Sequence, residues 1–233
     1  MHHALTLVAC VSLAVAFICA LWIAFDELKH PQKMWIMNVV WPVTALYLSV
    51  GALWFYYAFG RNTAKKSSAM RHAGHEQKNK PGSNPSWQQI AISDFHCGAG
   101  CSLADIVCEY LIFAWGLTLF GAAIWASYAL DFAGAWLLGI LFQYFAIKPM
   151  SDLSAGQALI AAIKADTLSI IAFQIGMYAW MALVHFVWFP HPHLEPNEFL
   201  YWFLMQLAMI AGFLTAFPMN AWLIRRGVKE AMG

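Results

Sequence analysis

Long runs of apolar residues constrain this chain more than any other feature of its sequence. Six of them are long enough to cross a bilayer core of roughly 30 Å, which takes about 20 helical residues. Only 11% of the 233 residues are charged, against about 25% in an average soluble domain. The sequence therefore predicts an all-α fold, a polytopic membrane helix bundle whose principal partner is the lipid bilayer.

The predicted spans divide the chain into four parts. The six spans cover residues 4–25, 34–59, 103–126, 129–147, 167–189 and 198–223. The parts are an N-terminal helix with its outer loop (1–33), the second transmembrane helix (34–59), a cytoplasmic polar loop (60–95) and a four-helix membrane core (96–233). Apolar residues recur at helical spacing between Ser151 and Lys164, so we expect an interfacial helix between the fourth and fifth spans.

The distribution of Lys and Arg predicts how these spans are oriented, because cytoplasmic loops carry an excess of them. They are concentrated in residues 60–101, in residues 148–166 and in the C-terminal tail. These three segments should therefore face the cytoplasm. Six crossings then place both termini on the cytoplasmic side.

The run His96–Cys101, His-Cys-Gly-Ala-Gly-Cys, is the most distinctive short motif. Hydropathy places it at the inner mouth of the third span, where its two glycines predict a tight turn. Cys101 would then lie beside a helix N-terminus, whose dipole favours the thiolate that binds metals. Soft ligands of this kind select Cu(I), and the spacing is not the Cys-x-x-Cys pair typical of structural zinc. The motif favours copper over zinc, and a glycine-rich turn that carries incidental thiols is the alternative interpretation.

Two carboxyl residues follow on the same predicted helix. Asp105 comes three residues after Ser102, the position of a capping box, so capping is an alternative interpretation for it. Glu109 lies deeper, where an ionisable residue marks an ion, proton or redox pathway. The resulting candidate metal site consists of His96, Cys97, Cys101, Asp105 and Glu109.

Further polar and sulfur side chains could extend a path from that site. The candidates in the last two spans are Asp166, Gln174, Met177, Met205, Gln206 and Met209. Thioethers bind Cu(I), although methionine also serves as core filler. At the outer side, His185, His191 and His193 form either a Cu(II) or Zn(II) site or an ordinary surface turn.

Three functions remain open at this level. The first is a transition-metal, copper-type transporter or metal-handling permease that uses the His, Cys and Met residues. The second is a membrane thiol-redox protein in which Cys97 and Cys101 act as a dithiol. The third is an accessory or structural subunit without its own substrate, as a homo-oligomer or in a membrane complex.

Whether the chain is an enzyme stays open. Phosphate-loop, dinucleotide, serine-hydrolase and zincin motifs do not occur in the sequence, and neither does a basic region large enough for nucleic acid.

Several motifs occur in an order that is similar to a known family. They are Asn38–Tyr47, the His96–Cys101 run, Phe142–Phe145, Lys164–Ser169 and Trp222–Glu230. From about Trp35 to the C-terminus the chain resembles a bacterial integral-membrane family catalogued as domain of unknown function 4396. The resemblance implies a multi-pass protein of the bacterial inner membrane. It carries no established activity, cofactor or catalytic residue.

Overall fold

The computed structural model describes residues 2–32, 34–61 and 85–230. Within these residues the chain forms seven α-helices: α1 His2–Lys29, α2 Met37–Leu48, α3 Val50–Phe55, α4 Trp87–Trp115, α5 Ala123–Ile147, α6 Ala155–Leu183 and α7 Phe199–Arg225. A π-helical turn extends α3 over Tyr56–Gly60 and another extends α6 over Val184–Trp188, and a 3-10 turn follows α5 at Lys148–Met150. Most of the predicted polar loop, residues 62–84, lies outside the described residues.

Five of the described helices are long and apolar enough to cross a membrane. They are α1, α4, α5, α6 with its π-helical extension, and α7. Helix α2 is apolar, but its 12 residues extend only about 18 Å. The predicted all-α fold is confirmed, whereas the predicted second span, residues 34–59, is not a single crossing helix.

Residues 37–61 instead form a helical hairpin that returns to its starting level. The chain breaks at Ser49, which has a φ of 48°. Gly60 packs so closely on Trp41 that a Cβ there would lie 2.7 Å from the indole ring, although a continuous helix would separate these residues by about 28 Å. Arg61 then bonds to Asp26, at the end of α1, at 3.1 Å. Both ends of the hairpin therefore lie at one end of the bundle.

The tip of the hairpin is stabilised by a side chain from α7. The Nε2 of Gln206 donates to the backbone oxygen of Leu46 at 2.6 Å, and Ser12 Oγ donates to Gln206 Oε1 at 3.0 Å. A break in a helix is tolerated at membrane depth only where protein groups satisfy the freed backbone. Gln206, predicted to line a path, supplies this bond.

Helix α4 begins 16 residues before the expected start of the third span. Ser86 and Gln89 form a reciprocal capping box, so the His96–Cys101 run lies inside the helix and the predicted glycine turn is wrong. Gly100 serves close helix packing, because a Cβ there would lie 3.0 Å from the Cα of Gly139 on α5. Asp105 is also within the helix and caps nothing.

Two other predicted boundaries differ from the structure. Helix α4 ends at Trp115 because Gly116 adopts a left-handed conformation, φ 60°, so the predicted span 103–126 is wrong at both ends. Helix α6 starts at a second capping box, Ser154 with Gln157, and runs unbroken to Leu183. The segment 151–164 expected as a separate interfacial helix thus supplies the first turns of α6.

The two ends of the bundle differ in charge. Trp87 packs on Phe59 of the hairpin and lines one surface pocket with Trp222 and Arg225, so the end of the hairpin and the start of α4 meet the end of α7. We call this the basic end. The Lys and Arg residues described by the structure lie towards it: Lys29, Arg61, Lys148, Lys164, Arg225, Arg226 and Lys229.

The opposite end holds His185, His191 and His193 and is called the histidine end. Helix α1 starts there and packs parallel to α7, since Ser12 meets Gln206 near the start of α7. The first residue of α1 and the last of α7 thus lie at opposite ends. The prediction that both termini face the same side does not fit this arrangement.

Candidate functional site

One face of α4 carries an almost unbroken stripe of ionisable and thiol side chains. Its members, three or four residues apart, are Asp94, Cys97, Cys101, Asp105 and Glu109. Residues at this spacing are neighbours on a helix surface, and the stripe extends about 22 Å. All five are buried, none exposing more than 4% of its surface. We call this set the α4 stripe.

At the basic end the stripe meets a buried ion pair. Lys229 Nζ donates to Asp166 Oδ1 at 2.6 Å and to Asn220 Oδ1 at 2.9 Å. Asn220 Nδ2 in turn donates to Asp94 Oδ1 at 3.0 Å, and Ser169 Oγ donates to Asn220 Oδ1 at 2.9 Å. The ammonium group thus bonds directly to the Asp166 carboxylate and, through the Asn220 amide, is linked to the Asp94 carboxylate.

Lys229 reaches this position because the chain reverses after α7. Gly227 has a φ of 69°, a value that glycine adopts without strain, and the backbone nitrogen of Val228 donates to the oxygen of Leu223 at 3.0 Å. The side chain of Lys229 is fully buried. Burial is the largest single influence and lowers the pKa of Lys229, but Asp166, Cys97 and Asp94 together outweigh it and raise the pKa above its ordinary value.

In the middle of the bundle, the tip of the hairpin covers the two thiols of the α4 stripe. Cys97 and Cys101 interact side chain to side chain and are not joined by a disulfide. Tyr47 comes near them because Gly98 has no side chain: a Cβ there would lie 2.8 Å from the Tyr47 Oη. The Oη of Tyr47 and the Oγ1 of Thr44 have no hydrogen-bond partner among the described residues. These hydroxyl groups extend the polar region of the α4 stripe at the level of the two thiols.

Towards the histidine end, three carboxyl groups from two helices lie together. Asp105 interacts with Glu109 and faces the Gln174 amide. Glu109 interacts in turn with Asp131 of α5 and with the hydroxyl of Tyr201. Carboxyl groups that share a low-dielectric site cannot all ionise without a compensating cation. This cluster therefore requires shared protons or a bound cation.

Many polar atoms on and beside the α4 stripe have no hydrogen-bond partner among the described residues. They are Tyr47 Oη, Asp94 Oδ2, both His96 ring nitrogens, both Asp105 oxygens, Asp131 Oδ1, Asp166 Oδ2 and both Gln174 amide atoms. Polar groups buried in protein are normally bonded, and exceptions need an explanation. Here the unpaired atoms extend through the bundle along the α4 stripe. This arrangement favours a functional explanation over one based on packing.

The structure places the predicted metal residues along the bundle rather than at its mouth. His96 is fully buried beside the α4 stripe and its ring packs against Phe142 of α5, centroids 6.0 Å apart. The predicted path residues are distributed differently from what we expected: Asp166 pairs with Lys229, Gln174 faces Asp105, and Gln206 supports the hairpin.

The predicted methionines do share a core with the thiols. Met177, Met205 and Met209 are buried in the cluster that contains Cys97 and Cys101, and Ser102 Oγ donates to Met209 Sδ at 3.3 Å. In the parts of the chain that the structure describes, no group of three or more His, Cys, Asp or Glu residues is placed to hold a metal ion.

The three histidines predicted at the outer side do lie together. The rings of His185 and His193 stack with centroids 3.8 Å apart, and His191 lies 5.1 Å from His193. Stacked imidazoles do not converge their nitrogens on one point, so this contact is a packing arrangement in the present conformation.

Sequence reasoning missed five important members of the site: Tyr47, Asp94, Asp131, Lys229 and Asn220 in its bridging role. Asp94 was assigned to a loop, because the capping box at Ser86 and Gln89 was not recognised. Asp131 lies within a predicted span and was a readable signal under the rule that intramembrane acids are functional candidates. Lys229 could not be found, since a tail lysine ordinarily faces water.

The fold and the site define a class: a multi-pass helical protein of membrane type whose bundle encloses a line of ionisable groups. The chain belongs to the family described as "Domain of unknown function (DUF4396)", which matches residues 86–229. The matched region contains the whole α4 stripe and Lys229, whereas α1 and the hairpin precede it. No curated protein and no solved structure matches the chain.

Proposed function

We propose that this protein translocates a cation, in the simplest case a proton, through its helix bundle in the bacterial inner membrane. The observation that carries the proposal is the α4 stripe, which extends buried carboxyl and thiol groups over about 22 Å of a core that is roughly 30 Å thick. Each ionisable group costs free energy at membrane depth. A purely structural role would not require five of them in register on one helix face.

The proposed route has three sections. At the basic end a proton exchanges with Asp94 and Asp166, which Asn220 and Lys229 together link. In the middle, hydroxyl and thiol groups of Tyr47 and the cysteine pair relay it past the tip of the hairpin. At the histidine end the acid cluster around Glu109 completes the route.

The hairpin supports a transport role on physical grounds. Transporters commonly place broken helices near the bilayer midplane, where freed backbone groups and polar side chains bind the substrate. Here the break at Ser49 lies next to Tyr47, whose hydroxyl approaches the thiols. Movement of this tip would alter the middle section of the route without disturbing the five long helices.

Charge supports one orientation of the protein. The basic end corresponds to the cytoplasmic side, because the Lys and Arg residues that the structure describes lie towards it and such residues are retained in the cytoplasm. Five crossings and one re-entrant hairpin then place the N-terminus outside and the C-terminus inside. Exposed Leu, Phe and Trp side chains on the long helices fit contact with lipid.

A flux measurement in liposomes tests the proposal. Purified protein is reconstituted with an entrapped pH-sensitive dye, and a potassium diffusion potential drives proton entry. Glu109→Gln should lower the rate by about tenfold or more, equivalent to about 1.4 kcal/mol in the barrier. Glu198→Gln, which changes an exposed acid at the same end of the bundle, is the matched control and should leave the rate unchanged. Equal rates for both variants would refute the route.

A narrower candidate is the transport of a soft metal ion, Cu(I), along the same route. The observation that favours it is the shared core of Cys97, Cys101, Met177, Met205 and Met209, since thiolate and thioether ligands select Cu(I). Asp105 and Glu109 would then exchange protons against the metal.

Elemental mass spectrometry after anaerobic loading with Cu(I) tests the metal candidate. Copper should bind stoichiometrically to the wild-type protein and be lost in a Cys97→Ser/Cys101→Ser variant, whereas zinc should not accumulate. A Cys10→Ser/Cys108→Ser variant, which removes two partly exposed thiols, is the matched control. Absence of copper from the wild-type protein would exclude this candidate and leave proton translocation untouched.

A thiol-redox role is less compatible with the helical position of the cysteine pair. Residues four apart on a helix hold their Cβ atoms about 5–6 Å apart, whereas a disulfide requires about 3.8 Å. Oxidation of Cys97 and Cys101 to a disulfide would therefore require α4 to unwind locally.

A further inference from the structure

The buried amine of Lys229 occupies a site with the chemistry of a receptor for a small monovalent cation. Its ammonium donates to Asp166 Oδ1 and to the amide oxygen of Asn220, and Asp94 Oδ1 accepts from the Nδ2 of the same Asn220. Asp94 and Asp166 are both completely buried. An ammonium group bound at 2.6 Å and 2.9 Å among buried side chains shows that the pocket accommodates such a cation.

The site offers more acceptors than Lys229 uses. Asp94 Oδ2 and Asp166 Oδ2 have no hydrogen-bond partner among the described residues, and His96, also fully buried, lies within electrostatic range of Asp166 and Lys229. Two carboxylates carry one charge more than one ammonium neutralises. A second positive charge, as a proton or a free cation, is therefore favoured here.

Lys229 is attached by a short turn, not by a helix. It lies four residues beyond the end of α7, and Gly227 makes the reversal that directs it inward. Displacement of a segment of this size requires no rearrangement of the long helices. The ammonium can thus exchange with a free cation that offers the same charge and the same N–H donors.

We propose that Asp94, Asp166, Asn220 and Ser169 form a binding site for a small monovalent cation of the primary-ammonium type, and that Lys229 occupies it as a tethered competitor that closes the basic end of the route. The cation site stands on the contacts alone. The closing role rests on the proposed translocation.

Chemical rescue tests the site. Lys229→Ala should lower the thermal midpoint of the protein in detergent, and n-butylammonium, which has the same head group and carbon chain as a lysine side chain, should restore it saturably. Tetramethylammonium has the same charge and no N–H donor, so at equal concentration it should not restore the midpoint. Lys164→Ala, at an exposed lysine of α6, is the matched control. Equal effects of both ions on Lys229→Ala would overturn the proposal.

A measurement on the wild-type protein covers the case in which Lys229→Ala does not fold. Brief acylation with an amine-reactive ester, read by mass spectrometry, should modify Lys229 more slowly than Lys164, by about fivefold or more if binding is as strong as a typical coupling between sites. Equal acylation of the two lysines would overturn the proposal.

Proton flux separates the two parts of the inference. If Lys229 closes the route, folded Lys229→Ala should conduct faster than wild type in the liposome assay, and n-butylammonium should slow it again. Rescue of stability without any flux in either protein would support the cation site and refute translocation. Proton flux without selective rescue of stability by n-butylammonium would support translocation and refute the cation site.

Discussion

Arg61 bonds to Asp26 at 3.1 Å, and this contact joins the end of the first long helix to the end of the hairpin that follows it. The Oη of Tyr56 also donates to Asp26, at 2.8 Å. The two residues are 35 positions apart, and the residues between them contain enough apolar side chains for a membrane crossing. Because their two ends meet, they enter the bundle and return instead.

The first prediction concerns this topology. In a cysteine-less background, Lys29→Cys should be protected from a membrane-impermeant maleimide added to whole cells, because the hairpin arrangement places residue 29 in the cytoplasm. Asn197→Cys, exposed at the histidine end, should be labelled. External labelling of Lys29→Cys would restore the six-span arrangement and contradict the hairpin.

The second prediction concerns the tip of the hairpin. Gln206→Leu removes the donor to the Leu46 oxygen, so a buried carbonyl loses its partner, at a cost of about 1–3 kcal/mol in the free energy of unfolding. Ser12→Ala leaves that bond in place and removes only the hydroxyl donor to Gln206, so it should cost less. Denaturant unfolding in detergent measures the free energy of unfolding of the two variants. An equal loss in the two variants would show that the Leu46 contact contributes nothing.

The third prediction separates glycine as a packing residue from glycine as a helix breaker. Gly100→Ala places a methyl group 3.0 Å from the Gly139 backbone, and overpacking of this kind costs about 1–3 kcal/mol. Gly156→Ala, where the added methyl meets nothing within 4 Å, should be neutral or stabilise the helix by up to about 1 kcal/mol. If Gly100→Ala were equally harmless, α4 and α5 would not be in close contact.

The fourth prediction concerns the thiols. Alkylation by N-ethylmaleimide should be fast at Cys10 and Cys108, which are partly exposed, and slow at Cys97 and Cys101, which are buried. Peptide mass spectrometry of timed samples measures each rate separately. Fast alkylation of Cys97 and Cys101 would instead support an accessible dithiol at a helix mouth.

Hydropathy was sufficient to predict the helical class and most of the long helices, because a bilayer requires runs of apolar residues of fixed length. It could not predict the hairpin, since apolar composition is the same whether a segment crosses or returns. What distinguishes the two is the left-handed φ at Ser49 and the contact between Gly60 and Trp41. Both depend on tertiary packing.

The candidate site was predicted in part. Cys97, Cys101, Asp105 and Glu109 were recognised because acids and thiols are rare in apolar helices, and their helical spacing places them in register. The Lys229 pair with Asp166 depends on residues 63 positions apart and on a turn at Gly227, so no local pattern indicates it. Asp94 was available to sequence reasoning through the Ser86–Gln89 capping box, which shows that α4 begins before it.

The most direct test of the account is the proton flux of the wild-type protein in liposomes compared with that of Asp105→Asn. Asp105 belongs to the acid cluster towards the histidine end of the α4 stripe and is fully buried, and the amide matches the carboxyl group in size but cannot exchange a proton. The account predicts flux above that of protein-free liposomes for the wild type and a return to the protein-free rate for the variant. Wild-type flux no greater than that of protein-free liposomes, or equal flux from folded Asp105→Asn, would contradict it.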